Sequence, residues 1–174
     1  KYEGTKVFEE TEYFKVWNGF LNNEKFIAFL EKHNCEAIFY PHRNMQKYLP
    51  LFTPSSPKIK IAETATYDVQ TAINESACMI TDYSSVLFDF SYLGKPVIFY
   101  QFDEEKFRKG QYAEGYFNFK NTPLGEWTDS ANGVISLLNK NVKQFANPNR
   151  ERVKTCFEFV DNKNNERIFE VIKN

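Results

Sequence analysis

The chain has 174 residues, of which 42% are hydrophobic and 26% charged, and its formal net charge is −1. That length suits one globular domain with a substantial core, and the near-neutral charge argues against a general nucleic-acid binder, which is normally basic. No apolar run approaches the roughly 18 residues of a membrane span, and no stretch reads as a secretory signal, so a cytoplasmic protein is expected.

Residues 1 to 21 read poorly: Lys6 to Phe8 or Tyr13 to Trp17 fits a strand or the tail of a connection. Asn22 or Asn23 is placed to cap a helix running to about His33, with Phe26, Ile27, Phe29 and Leu30 inward. Glu36 to Tyr40 reads as a strand that ends in Pro41-His42-Arg43. A His in such a loop is either an ordinary surface residue or, if this strand runs parallel to the one at 77–81, a group on the ligand edge beside Arg43. Asn44 to Leu49 suits a short helix. Thr53 to Pro57 is a turn cluster too short to divide domains, and Lys58 to Ala62 alternates like a strand near a sheet edge. Asp68 should cap a helix that carries Val69, Ala72 and Ile73 inward.

The stretch Ala77 to Tyr100 is the organising unit. Ala77 to Thr81 suits a buried strand. Asp82, Ser84 and Ser85 suit a helix start, because their oxygens accept from orphan N–H groups. Val86, Leu87, Phe88, Phe90, Tyr92 and Leu93 then give a helix apolar almost all round. Gly94 fits the left-handed position past a helix, Pro96 the start of a strand, and Val97 to Tyr100 that strand. The result is one βαβ unit, hence parallel pairing with a right-handed crossover. Ligands collect beyond the carboxyl ends of parallel strands, and a helix starting there is an anion site. Two readings of the elbow stay open: Ser84 and Ser85 donate to a phosphate, or Asp82 and Ser84 only cap the helix.

Phe102 to Lys109 is dense in charge and suits a short solvated helix. Gly110 to Trp127 has no clear period, so it is either a functional, mobile connection or a surface loop held by its own rings. Helices are expected from about Asp129 to Asn139, from Asn147-Pro148, and from about Asn164 to Lys173 with Ile168, Phe169 and Ile172 facing in. Between Lys140 and Lys154 stand five Lys/Arg against one acidic residue. That run is a solvated helix face or a contact to an anionic membrane surface. Cys35, Cys78 and Cys156 lack CxxC spacing and read as reduced, mostly buried thiols. Eighteen Phe and ten Tyr predict a core or cleft lined with rings. No P-loop, GxGxxG, HExxH or GxSxG occurs, so ATPase, dinucleotide-oxidoreductase, zinc-peptidase and α/β-hydrolase readings lack their usual carriers.

ITDYSSVLFDFSYLGKPVIFYQFDEEKF, with IFYPHR upstream, resembles the signature of the bacterial CDP-glycerol glycerophosphotransferases, the teichoic-acid and capsule polymerases and primases. The resemblance runs from about residue 36 to 127. It implies an α/β fold: a Rossmann-like parallel sheet with helices on both faces, as the C-terminal, donor-binding half of a GT-B enzyme. Residues 1–174 would then be a single donor-binding domain, with 1–21 a lead-in and 129–174 the closing helices. The chain also opens at Lys1 and not at a methionine, which fits a piece of a longer polypeptide.

The implied donor is CDP-glycerol or a similar CDP-alditol such as CDP-ribitol, and the implied acceptor is a polyol-phosphate or polysaccharide hydroxyl. His42 matches the family's donor-side His, as a pyrophosphate contact or an acid for the leaving phosphate. Arg43, Asp82, Ser84, Ser85 and Lys109 are the candidate donor and phosphate binders. No metal and no cofactor are expected. The base that activates the acceptor would sit in an N-terminal half of the same polypeptide, and the protein would lie in the cytoplasm or peripherally on the inner face of the membrane. Departures from the family pattern are Tyr40 and Arg43 around Pro41-His42, Lys109-Gly110 in place of Arg-Gly, and Phe107 in place of Tyr. Two other readings compete: the donor half of a nucleotide-sugar GT-B glycosyltransferase, and a non-catalytic nucleotide-binding module.

Overall fold

The computed structural model describes residues 5–110 and 117–173. In chain order they form α1 (Thr5–Glu9), α2 (Glu12–Leu21), α3 (Glu24–Lys32), β1 (Ala37–Phe39), β2 (Ile59–Ile61), α4 (Val69–Glu75) and β3 (Met79–Thr81). Then follow α5 (Val86–Tyr92), β4 (Val97–Tyr100), α6 (Glu104–Gly110), β5 (Glu126–Thr128), α7 (Ala131–Asn141) and α8 (Asn164–Lys173). The strands make two parallel sheets, β1–β2 and β3–β4–β5. The chain divides into two units, Lys1–Ser76 with Ala131–Asn139, and Ala77–Ser130 with Lys140–Asn174.

In the first unit Thr5–Glu9 and Glu12–Leu21 are helices, which corrects the expectation of a strand or connection at Lys6 to Phe8 or Tyr13 to Trp17. Thr11 caps α2 by accepting from the N–H of Phe14 at 3.2 Å, and Phe14, Trp17, Phe20 and Leu21 are buried. Aromatic residues favour strands as readily as buried helix faces, so composition pointed the wrong way while the three- and four-residue spacing decided. Asn23 caps α3 through Lys25 and Phe26, and His33 closes it, as expected. The unit's core is largely aromatic: Phe8 stacks on Tyr48 with centroids 4.0 Å apart, and Phe52 lies 5.0 Å from Phe14 and 4.8 Å from Phe39. Arg43–Leu51 is a 3-10 helix that includes the short helix expected at Asn44 to Leu49, and β2 pairs with β1 with Phe39 beside Ile61. Asp68 caps α4 as expected, but Val69 is exposed and none of the helix is buried. Ala72 and Ile73, the other two residues expected inward, are half-buried.

The second unit realises the βαβ pattern. Met79 pairs with Val97 and Thr81 with Phe99, in parallel. All four residues of β4 are buried, as a central parallel strand requires. Gly94 takes the left-handed conformation, φ 76°. On α5 only Leu87, Phe90 and Ser91 are buried while Asp89 is exposed, so the helix is one-sided and not apolar all round. β5 straddles the end of the stretch Gly110 to Trp127, which shows no period. Glu-Trp-Thr is too short to carry a pattern, yet Ile98 pairs with Glu126 and Tyr100 with Thr128. Gly125 allows this approach, since a Cβ there would sit 2.6 Å from the Phe99 ring.

The helix expected at Asn147-Pro148 does not form. The Asn149 side chain instead accepts from the N–H of Glu151 at 3.1 Å, a local turn that competes with helix, and only the 3-10 turn Arg152–Thr155 follows. α7 forms about where expected, burying Val134, Ile135 and Leu138. α8 also forms, but Ile168, Phe169 and Ile172 are 58%, 62% and 77% exposed and do not face in. All three cysteines are free thiols, and Cys156, expected to be buried, is exposed.

Candidate functional site

The elbow after β3 begins at Asp82, whose Oδ1 accepts from the N–H of Tyr83 at 2.7 Å. Ser84 then acts as the cap: its Oγ accepts from the N–H of Val86, and its carbonyl accepts from Leu87, both at 3.3 Å. Ser85 already has helical backbone angles, and its hydroxyl makes no cap bond. Capping therefore involves Ser84 and not Ser85. Ser84 satisfies an orphan donor of α5, while the exposed Ser85 does not.

Two side chains that the sequence did not single out hold this elbow. Gln101, just past β4 and 2% exposed, donates its amide to the carbonyl of Asp82 at 2.9 Å. Its Oε1 accepts from the indole N–H of Trp127 on β5 at 3.1 Å, and its backbone N–H donates to Thr128 at 2.9 Å. One amide thus ties the carboxyl ends of all three strands. On the outer side the phenol of Tyr83 donates to Asp103 at 3.0 Å, and its ring stacks on Phe107 with centroids 3.6 Å apart and planes within 2°. Phe119 meets Tyr83 edge-on at 6.0 Å. Burial, then the Asp103 carboxylate, pushes the Tyr83 phenol well above its ordinary value, so it stays a protonated donor. No feature of a single sequence marks a polar strand-end residue as a three-way tie.

On α6, Glu104 accepts from Arg108 at 3.1 Å and pairs with Lys120 at 2.7 Å, and Lys120 sits 4.5 Å over the Trp127 ring. Hydrogen bonding from Lys120 outweighs burial and lowers the Glu104 carboxyl. Lys109 is at the far end of that helix, exposed, and 3.7 Å from Glu105 one turn back. Residues 111–116 of the Gly110–Trp127 connection lie outside the described residues.

In the first unit, His42 and Arg43 are exposed at the turn leaving β1. His42 caps the 3-10 helix, its Nδ1 accepting from the N–H of Asn44 at 3.2 Å, which leaves the neutral ring's proton on Nε2. Gln46 braces the turn by donating to the Pro41 carbonyl at 2.9 Å and accepting from the N–H of Thr64 at 3.0 Å, joining the segments after β1 and β2. Asp82, Ser84 and Ser85 thus share one turn, Lys109 stands at the end of α6, and His42 with Arg43 belongs to the other unit. Among the described residues no three His, Cys, Asp or Glu side chains gather as a metal set, and no helix is long and apolar enough to cross a membrane.

A family model described as CDP-glycerol:poly(glycerophosphate) glycerophosphotransferase matches residues 6–174. The minor teichoic acid biosynthesis protein GgaB of Bacillus subtilis is 32% identical over 170 residues, covering 95% of this chain and 18% of that protein. The teichoic acid poly(ribitol-phosphate) polymerase of Bacillus spizizenii is 34% identical over 95 residues, 54% of this chain and 15% of its own length. Among solved structures, that of the wall teichoic acid polymerase TagF superposes with a TM-score of 0.59 at 24% identity, covering 87% of this chain and 38% of that one. The chain therefore spans a minor part of the relatives it matches.

Proposed function

Because this chain belongs to the CDP-glycerol:poly(glycerophosphate) glycerophosphotransferase family, we propose that it is the donor-binding part of a teichoic-acid or capsule polymerase. In this reading a polymer hydroxyl attacks the alditol-side phosphorus of CDP-glycerol or a related CDP-alditol. The new O–P bond forms as the bond to the bridging oxygen breaks, and CMP leaves. Such transfer needs alignment and charge neutralisation more than covalent help from the protein.

The observation that carries the reading is the elbow of Asp82 to Ser85 at the carboxyl end of β3, where the Ser85 hydroxyl makes no cap bond. Ser84 and Ser85 donate to the pyrophosphate, and Asp82 shapes the turn. His42, with Nδ1 committed to Asn44, offers Nε2–H to the departing phosphate, with Arg43 and Lys109 as supporting charge. The base that activates the acceptor belongs to an N-terminal half of the polypeptide, so residues 1–174 alone bind donor without releasing CMP. No metal takes part. Exposed Lys140, Lys143, Arg150 and Lys154, with the apolar face of α8, support peripheral attachment to an anionic membrane on its cytoplasmic side.

The test is binding. A ligand held by the native state raises the melting temperature, so CDP should raise it more than UDP or GDP at equal concentration. A larger shift with UDP or GDP would favour a nucleotide-sugar transferase and overturn the CDP-alditol reading.

A further inference from the structure

We propose that Gln101 and Tyr83 are positioning residues for donor binding, clamping the Asp82–Ser85 elbow from its two sides. The proposal rests on reading that elbow as the donor phosphate site. A four-residue turn between a strand and a seven-residue helix has little intrinsic rigidity, and its two serines must keep a fixed direction to hold a phosphate.

The inner clamp is the Gln101 amide, and its two bonds define its orientation. The Asp82 carbonyl can only accept and the Trp127 indole N–H can only donate, so the NH2 faces Asp82 and the oxygen faces Trp127. The side chain is 2% exposed, so water cannot replace either partner without cost. The outer clamp is Tyr83, the residue between Asp82 and Ser84. Its hydroxyl is fixed by Asp103, which precedes α6, and its ring by the flat stack on Phe107 within α6. The peptide that delivers Ser84 and Ser85 is thus held from the sheet interior by β4 and β5, and from outside by α6. Neither clamp touches the phosphates.

Gln101→Glu keeps the acceptor for Trp127 but sets a carboxylate oxygen against the Asp82 carbonyl. Tyr83→Phe keeps the ring stack and removes only the bond to Asp103. In the full-length protein each variant should raise the donor KM and the Kd for CDP about tenfold, with the acceptor KM within twofold of wild type. A purely structural role would lower the melting temperature and leave the donor KM of the folded enzyme unchanged, and that result overturns the proposal. Where Gln101→Glu does not fold, Tyr83→Phe decides alone, since its packing is retained. The Ser84→Ala, Ser85→Ala double variant, run alongside, separates the two readings. If it weakens CDP binding and Tyr83→Phe does not, the clamp falls and the donor site stands. If it has no effect, the donor-site reading falls and takes the clamp with it.

Discussion

Asn149 donates its backbone N–H to the carbonyl of Gly94 at 2.9 Å, fastening the loop before Arg152 to the turn between α5 and β4. Gly94 is at φ 76°, and a Cβ there would lie 2.9 Å from both the Cγ and the backbone nitrogen of Arg150. Gly94→Ala therefore combines an unfavourable backbone region with a clash. The expected loss is about 2–4 kcal/mol, read as a lower midpoint in urea, and an unchanged midpoint would contradict this account of the turn.

The two elbow serines should separate by experiment. Ser84→Ala removes a cap and is expected to cost about 0.5–2 kcal/mol of stability, whereas Ser85→Ala should leave stability nearly unchanged. On the proposed function, replacing both removes two hydrogen bonds to a charged group, each worth roughly 1.5–3 kcal/mol, so CDP affinity should drop at least tenfold. Calorimetric titration beside thermal unfolding measures both quantities.

His42 distinguishes a proton donor from a binding contact. If it protonates the leaving phosphate, which requires the imidazolium and so release of Nδ1 from the Asn44 N–H, His42→Gln in the full-length protein should lower turnover about 10²–10⁴-fold with a near-normal donor KM. If it only holds the pyrophosphate, KM should rise with turnover preserved. Values near wild type for both would remove His42 from the site.

The three thiols should react in a fixed order. Burial pushes the Cys78 thiol up to about 12 from an ordinary 9.0, the nearby Arg152 charge offsetting this only in part. At pH 8 its thiolate population is about a thousandfold below that of an ordinary thiol. Because the folded value is raised, the stabilisation is intact below about pH 9 and is lost as pH climbs towards about 12. A disulfide reagent at pH 8 should label exposed Cys156 well before half-buried Cys78. Prompt labelling of Cys78 in the native protein would show that its site is open.

On the proposed peripheral attachment, binding to anionic lipid should be electrostatic and salt-sensitive. Sedimentation with vesicles containing anionic lipid should recover the protein at low salt and release it as ionic strength rises and the Debye length shrinks. Recovery with neutral vesicles at high salt would point to the apolar face of α8 as the attachment.

Local chemistry was readable wherever one residue type answers one backbone demand. Asn23 and Asp68 announce helix starts because their oxygens accept from orphan N–H groups, Gly94 announces a left-handed turn, and Val97 to Tyr100 announces a central strand. The order of elements around Thr-Asp-Tyr-Ser-Ser also carried the family. What the sequence left undecided depends on partners distant along the chain. β5 exists because Gly125 admits the Phe99 ring and Glu126 to Thr128 find β4, not because three residues hold a pattern. Asn149 turns instead of starting a helix because its side chain and the Gly94 carbonyl supply its bonds. Capping alone could not say which serine is committed, and periodicity could not reveal that Gln101 reaches both Asp82 and Trp127. Hydrogen-bond geometry in the folded chain decides both, because each bond is set by where a second strand or helix start lies.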